Sequence, residues 1–85
     1  MLVSAIEALR DFIMRDLHWN GRADHLTIDY PLIENHVVDS LGLFMLVSFV
    51  EQQFGVAVSD EELLPQNFGT LGAIAGLIEK KRGAS

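Results

Sequence analysis

The residues best suited to chemistry in this sequence are a serine beside an aspartate and three scattered histidines. Asp39 and Ser40 stand directly before an uncharged run from Leu41 to Val50, and the histidines are His18, His25 and His36. A hydrolytic serine needs a base at hydrogen-bond distance and typically lies in a G-x-S-x-G turn between a strand and a helix. The sequence has no such motif, and the histidine spacing does not indicate a triad. We therefore assign no catalytic residue.

The sequence does not predict a metal site either. The histidines lack the spacing of zinc ligands, the acidic residues follow no EF-hand pattern, and no cysteine is available for a thiolate or a disulfide. Any sulfur chemistry must therefore use a group from outside the chain.

The residues around Ser40 allow two interpretations. Serine and aspartate are both favoured at helix N-caps, so Asp39 or Ser40 can simply cap the helix that follows. Alternatively, Ser40 is an attachment point for a phosphate-linked group, because backbone N–H groups and the helix dipole stabilise negative charge at a helix N-terminus. The residues alone leave both interpretations open.

The elements that must position Ser40 form an all-α domain of three longer helices and one short helix, predicted as a single domain over residues 1–85. Apolar residues of the first helix recur at intervals of three and four, as on one helical face: Leu2, Ile6, Leu9, Ile13 and Leu17. Asn20-Gly21 is predicted to end this helix, with Gly21 as a left-handed cap.

A long loop, residues 21–38, is expected between the first and second helices because it shows no regular periodicity and contains Tyr30-Pro31. Its apolar residues are predicted to hold it against the core: Leu32, Ile33, Val37 and Val38. The second helix is predicted over residues 40–54 and ends at Gly55. Ser59 and Glu62 fit a capping box that opens a short helix over residues 60–64, which Pro65 is expected to end.

The last helix is predicted to begin after Thr70, which serves as its cap. Its inward face consists of Leu71, Ile74, Leu77 and Ile78. Residues 80–82 are basic and complement the C-terminal end of the helix dipole, and Gly83 follows as a stop signal.

The second helix is apolar on two sides. One side forms a core stripe: Leu43, Leu46, Val47, Val50 and Phe54. The opposite side carries Leu41, Phe44, Met45, Ser48 and Gln52. Either neighbouring segments cover this opposite side, or it is an exposed apolar patch of the kind that marks docking sites in proteins. Exposure is the favoured interpretation, because so short a chain has little material to cover both sides.

The net charge of −6 has an uneven distribution, since residues 23–79 contain no lysine or arginine. This acidic field disfavours nucleic-acid binding and favours basic partner surfaces. No apolar run is long enough for a membrane span, and the N-terminal segment resembles an amphipathic helix rather than a signal peptide. The sequence therefore predicts a cytoplasmic protein, expected to be a monomer.

Several motifs together resemble the acyl carrier protein family. These are Asp39-Ser40-Leu41, the pattern L-x-x-x-V-x-x-x-F-G-V-x-V over residues 46–58, the acids near Asp60, and a terminal helix after the segment 67–71, NFGTL. D-S-L alone is a weak signal, but these motifs in this order and at this domain length are specific. The resemblance extends over essentially the whole chain.

The resemblance implies a four-helix carrier fold in which Ser40 carries a 4′-phosphopantetheine group. It also implies that Asp39 is used in recognition by a phosphopantetheinyl transferase. The thiol of this group would hold an acyl or aminoacyl cargo as a thioester for delivery between biosynthetic enzymes. A carrier of this type is not an enzyme. The remaining alternative is an unmodified, carrier-like interaction module in which Ser40 is only a helix cap.

The sequence departs from fatty-acid-type carriers in two places. Those carriers generally place acids after D-S-L on the outer face of the helix, where this chain has Gly42, Met45 and Ser48. They also usually have a glycine shortly before the aspartate, where this chain has residues 35–38, NHVV. The stretch 31–56 resembles discrete carriers of specialised biosynthesis, which often receive cargo from an adenylating ligase. Leu41, Phe44, Met45 and Ser48 are therefore the expected contacts for ligase and downstream synthase or transferase enzymes.

Overall fold

The computed structural model describes residues 2–17, 19 and 21–83, and within these ranges it consists of helices and loops. The α-helices are α1 (Leu2–Asp16), α2 (Ser40–Phe54), α3 (Pro65–Phe68) and α4 (Leu71–Gly83), and two 3₁₀ turns cover Ala23–His25 and Asp60–Glu62. This arrangement confirms the predicted all-α fold with three longer helices and one short helix. No helix in the described ranges has the length and apolar character needed to cross a membrane.

The core lies between α1, α2 and α4, with α3 packed against α4. Its fully buried side chains come from every α-helix: Leu9, Ile13, Leu46, Val50, Phe68, Leu71 and Ile74. Each such side chain contributes about 1.5–3 kcal/mol of burial free energy relative to full exposure. The predicted inward faces are therefore confirmed, except at Leu2, whose side chain lies outside the described part of the chain.

The loop before α2 is held on the core, as predicted. Leu32 is fully buried and Val38 nearly so, and Leu26 adds a third buried side chain. The Leu32 N–H donates to the Gly69 carbonyl at 2.7 Å, and the Gly72 N–H donates to the Ile28 carbonyl at 3.0 Å. These bonds join the loop to the start of α4, so the segment that leads into α2 has a defined position.

The predicted end of α1 is wrong. The helix ends at Asp16, and Gly21 does not have a positive φ, so it is not a left-handed cap. A Cβ atom on Gly21 would lie 2.6 Å from the Trp19 ring, whose Nε1 donates to the Arg22 carbonyl at 3.1 Å. A side chain at position 21 would therefore force the indole to move. Asn20, the other residue of the predicted break, is not among the described residues.

The short helix also differs from its prediction. Residues 60–62 form a 3₁₀ turn with the expected Ser59–Glu62 capping box, whereas the α-helical turn begins at Pro65 instead of ending there. Proline is well tolerated at the first position of a helix, because its missing N–H has no intrahelical partner there. The Thr70 cap is confirmed, since its Oγ1 accepts the Ala73 N–H at 3.0 Å. α4 extends to Gly83, the last described residue.

Candidate functional site

At the N-terminus of α2, Asp39 and Ser40 have different roles. Asp39 is the N-cap, and its Oδ1 accepts the Gly42 N–H at 2.8 Å. Ser40 is the first helical residue and is exposed. The open question about capping is therefore decided in favour of Asp39. The Ser40 hydroxyl lies at the positive end of the helix dipole without being needed to cap it.

The turn before Asp39 contains an unusual backbone conformation. His36 has φ 61° and is the one non-glycine residue with positive φ among the described residues. Its N–H donates to the Ile33 carbonyl at 3.1 Å, and the N–H groups of Val37 and Val38 both donate to the Leu32 carbonyl, at 2.9 and 3.1 Å. His36 thus adopts the left-handed conformation that a glycine adopts most easily. The loop therefore makes this turn without a glycine.

Gly42 occupies a tight place in the first turn of α2. It is buried, and a Cβ atom there would lie 3.2 Å from the Asp39 Oδ1 and 3.7 Å from a Leu17 methyl group. Leu17, the residue directly after α1, therefore packs against the capped turn. This contact positions the N-terminus of α2, and with it Ser40, on the body of the domain.

The outer side of α2 is an exposed apolar surface. Leu41 is 69% exposed, Phe44 is 70% exposed and Met45 is 38% exposed, and Ser48 is also exposed. The sequence favoured exposure of this side over coverage by neighbouring segments, and the structure confirms the exposure. We call the surface formed by Leu41, Phe44, Met45 and Ser48 the α2 face.

A groove between α1 and α2 adjoins this surface, although the sequence pattern gave no signal that α1 takes part. The near section, beside Ser40, has a volume of about 280 Å³ and includes Leu17, His36, Asp39 and Leu41. The far section has a volume of about 460 Å³ and includes Phe12, Phe44, Ser48 and Gln52. Asp16 and Met45 line both sections. We call this feature the α1–α2 groove.

An ion pair between two partly buried side chains lies at the opposite end of α2 from Ser40. Lys81 Nζ is 2.6 Å from Glu62 Oε1, which also accepts the Ser59 N–H at 3.0 Å. The hydrogen bond from Lys81 and, next, that from the Ser59 backbone hold the pKa of the Glu62 carboxyl below its ordinary value. This ion pair ties the turn after α2 to the last turn of α4.

The described histidines form no catalytic or metal-binding cluster with the acidic residues. His25 and His36 are exposed, and His18 is outside the described ranges. No group of three or more candidate ligands that could hold a metal ion occurs among residues 2–17, 19 and 21–83.

Comparison with known proteins decides the family. The model of the family described as "Phosphopantetheine attachment site" matches residues 7–78. The chain belongs to the acyl carrier protein family. A relative from Serratia sp., named "Probable acyl carrier protein PigG", is 34% identical over 61 residues, which cover 72% of this chain and 70% of the relative. An "Acyl carrier protein" from Thermotoga maritima is 41% identical over 58 residues, covering 68% and 69% of the two chains.

A solved structure has the same fold. A chain from the structure described as "Crystal structure of FAD-dependent dehydrogenase" is 36% identical to this carrier and superposes with a TM-score of 0.73, over 82% of this chain and 97% of the other. The family match establishes that the protein is a non-catalytic carrier whose prosthetic group is 4′-phosphopantetheine. It serves as a substrate for a phosphopantetheinyl transferase and for biosynthetic enzymes.

The N-terminus of α2 suits this prosthetic group. An exposed serine hydroxyl precedes the apolar α2 face, and the helix dipole favours a negative charge at this end. When attached, the group supplies a thiol, which the chain itself lacks because it contains no cysteine.

Proposed function

We propose that Ser40 is the residue that carries 4′-phosphopantetheine. The observation that carries this proposal is the division of roles at the start of α2. Asp39 accepts the capping bond from Gly42, so the exposed Ser40 hydroxyl is available for modification. The transferase would form a bond between Ser40 Oγ and the β-phosphorus of coenzyme A while the pyrophosphate bond breaks. The hydroxyl proton would pass to a base on the transferase, and adenosine 3′,5′-bisphosphate would leave.

Asp39 has a second proposed role in this reaction. Its Oδ1 is committed to the cap, but the residue is exposed beside Ser40. The carboxylate is therefore in a position to contribute to recognition by the transferase, through coenzyme A or its bound Mg²⁺. The cap bond would hold the carboxylate in a fixed orientation for this contact.

We propose that the cargo is an acyl or aminoacyl group delivered by an adenylating ligase. The α2 face supports this class of partner, because three apolar side chains are exposed there and residues 41–50 carry no formal charge. Contact through such a surface is mainly hydrophobic, whereas acidic residues around it assist encounter with basic regions of an enzyme. Downstream synthase or transferase enzymes would use the same α2 face.

A flavin-dependent dehydrogenase is a further proposed partner. The basis is the similar chain in the solved structure described as that of an FAD-dependent dehydrogenase. The described part of this carrier is a small helical bundle without the parallel sheet of a dinucleotide-binding fold, so the flavin would belong to the partner. In such a reaction the tethered group would lose a hydride to the flavin and a proton to a base of the dehydrogenase.

The proposed working unit is a monomeric, single-domain carrier. Residues from all four α-helices contribute to one core, which supports the single domain. A cytoplasmic location is proposed as well, because the coenzyme A needed for modification of Ser40 is available there.

Intact-mass measurement tests the attachment site. The carrier is incubated with coenzyme A, Mg²⁺ and a broad-specificity phosphopantetheinyl transferase, and we expect a mass increase of one phosphopantetheine. Fragmentation of the modified peptide should locate the addition at Ser40. Ser40→Ala should remain unmodified, whereas Ser48→Ala, another exposed serine of α2, is the matched control and should be modified. An unchanged mass of the wild type would instead favour the unmodified interaction module.

Loading by the ligase tests the α2 face. Phe44→Ala should slow loading of the modified carrier, while Gln53→Ala, an exposed position of α2 outside the α2 face, should leave it unchanged. Because the contact at the α2 face is hydrophobic, Phe44→Ala should slow loading by a similar factor at 50 and at 500 mM salt, whereas the absolute rate should fall with salt as the acidic surround is screened. Equal loading rates of Phe44→Ala and the wild type would show that the apolar surface does not direct docking.

A further inference from the structure

A second groove lies at the opposite end of α2 from Ser40. It has a volume of about 720 Å³, larger than either section of the α1–α2 groove. Its apolar floor consists of Phe54, the last residue of α2, and of Val56 and Ala57 in the loop that follows. The basic residues 80–82 of α4 line its other side. We call this feature the distal groove.

The charge of the distal groove is opposite to the net charge of the carrier, which is −6. Three of the six Lys and Arg residues of the sequence are at positions 80–82, and all three line the groove together with one carboxylate, Glu62. Glu62 Oε1 is already bound by Lys81 Nζ at 2.6 Å and by the Ser59 N–H at 3.0 Å. The cations on either side of Lys81 are exposed. We propose that the distal groove binds an acidic segment of a partner enzyme, with an apolar side chain of that segment on the groove floor.

Helix capping alone does not account for this arrangement. Cations in the last turn of a helix are stabilised by the helix dipole, and basic residues occupy the last turn of α4. That stabilisation requires no apolar surface, yet an apolar floor lies beside these cations. A concave apolar surface with a few polar groups is typical of binding sites, and a cationic rim adds a preference for carboxylates. The two features together indicate a ligand that is both apolar and anionic.

A short acidic segment suits the distal groove better than a second copy of the carrier or a nucleic acid. Two copies with a net charge of −6 repel one another, so self-association is disfavoured. A nucleic-acid backbone meets the same repulsion, since residues 23–79 contain no lysine or arginine. A short segment contacts the carrier only beside residues 80–82, and salt screens it from the more distant acids.

The position of the distal groove allows it to act together with the α2 face. Phe54 follows Ser40 by fourteen positions, which is roughly 21 Å along the α2 axis at 1.5 Å per residue. A short segment in the distal groove therefore leaves Ser40 and Phe44 accessible. One enzyme can hold the carrier at the distal groove while the entrance to its active site contacts the α2 face. The second contact is then intramolecular, which raises its effective concentration.

Titration of the unmodified carrier with synthetic peptides tests the proposal. The probe is a fluorescein-labelled peptide of sequence GSEDFLEDSG, and the matched peptide GSEDSSEDSG has the same charge without the apolar centre. Fluorescence anisotropy should show that the first peptide binds about tenfold or more tightly than the second, because its apolar side chains leave water. Its affinity should also fall with added salt, since part of the contact is electrostatic. Equal affinities of the two peptides would overturn the proposal.

The ¹H–¹⁵N spectra of labelled carrier locate the bound peptide. Changes in backbone chemical shift should be concentrated at residues 55–57 and 80–82. Changes concentrated at the α2 face would overturn the proposal, and so would the absence of any change at about 1 mM peptide. Equal changes with sodium phosphate would show a general anion site and would also overturn it.

Two substitutions test the groove residues. Lys80→Gln removes a cation at an exposed position and should weaken binding of the Phe-Leu peptide by about twofold to fivefold, the factor for loss of one exposed ion pair. Ala57→Glu places a carboxylate on the groove floor and should weaken binding further. Gln53→Glu is the matched control, since it adds the same charge to an exposed position of α2 outside the distal groove, and it should leave the affinity nearly unchanged. Equal affinities of Ala57→Glu and Gln53→Glu would overturn the proposal.

The distal groove does not depend on attachment at Ser40. Ser40→Ala and the unmodified wild type should therefore bind the Phe-Leu peptide with the same affinity. Loss of binding in Ser40→Ala would show that the peptide binds at the N-terminus of α2 and would overturn the proposal. A wild type that is not modified by the transferase would be recognised by its mass and would still bind the peptide, so failure of the attachment proposal is distinguished from failure of this one.

Discussion

The division of roles between Asp39 and Ser40 predicts different stability effects for two adjacent substitutions. Asp39→Ala removes the acceptor of the Gly42 N–H, and loss of an N-cap typically costs about 0.5–2 kcal/mol. Gly42 is buried, with Leu17 packed nearby, so water cannot easily replace the lost acceptor. The expected cost therefore lies in the upper part of this range, about 1.5–2 kcal/mol.

Ser40→Ala should have little effect on stability. The residue is exposed, and substitutions at such sites usually change the free energy of unfolding by less than about 0.5 kcal/mol. Asp39→Asn is the matched control, because asparagine keeps a capping oxygen and loses only the charge–dipole contribution of about 0.3–1 kcal/mol.

Urea unfolding of the unmodified carrier, followed by circular dichroism, measures these differences. With a slope near 1 kcal/mol/M for a small domain, Asp39→Ala should lower the urea midpoint by about 1.5–2 M. Asp39→Asn should lower it by about 0.3–1 M, and Ser40→Ala by less than about 0.5 M. If Ser40→Ala were as destabilising as Asp39→Ala, Ser40 would be the cap and the reasoning would be refuted.

Two further predictions concern Glu62 and His36. Because hydrogen bonds from Lys81 and Ser59 lower the pKa of Glu62 in the folded state, its contribution to stability is present above the ordinary value of 4.5 and is lost as the pH falls through the lower folded value. A ¹³C titration should therefore place the Glu62 midpoint below 4.5, and Lys81→Met should move it upward; no movement would exclude Lys81 as the main cause. His36→Gly should stabilise the protein by about 0.5–1 kcal/mol, because it relieves a left-handed conformation in a bulky residue. The control, glycine in place of His25 in a 3₁₀ turn, should not stabilise it, and equal effects of the two substitutions in urea unfolding would refute this explanation.

Local signals explain why α2 could be predicted at both ends. An aspartate stands immediately before the helix and accepts a hydrogen bond from its first turn, and Gly55 ends it with φ 67°. Both signals act within a few residues of the helix end, so they do not depend on the rest of the fold. The inward faces of α1 and α4 were predictable for a similar reason, since helical periodicity repeats along the chain.

The wrong predictions fall where a residue type is compatible with more than one local conformation. Gly21 is a residue type typical of helix caps, but here its small size leaves room for the nearby ring of Trp19. Pro65 has the residue type of a helix stop, but Leu64 before it is extended and the proline begins the next helical turn. In both places the conformation depends on a neighbouring residue, Trp19 or Leu64, and the residue type alone does not specify it.

The sequence by itself determined three features: the all-helical fold, the two apolar sides of α2, and Ser40 as the candidate attachment residue. It determined them because capping, periodicity and a short motif are local properties. Only the tertiary structure decided whether the side of α2 opposite the core stripe is covered, since that depends on where α1, α4 and the long loop pack. Their packing leaves Leu41 and Phe44 exposed, and it places Phe12 and Asp16 of α1 beside them to form the groove. That juxtaposition of distant segments arises from the shared burial of the core, which no local pattern specifies.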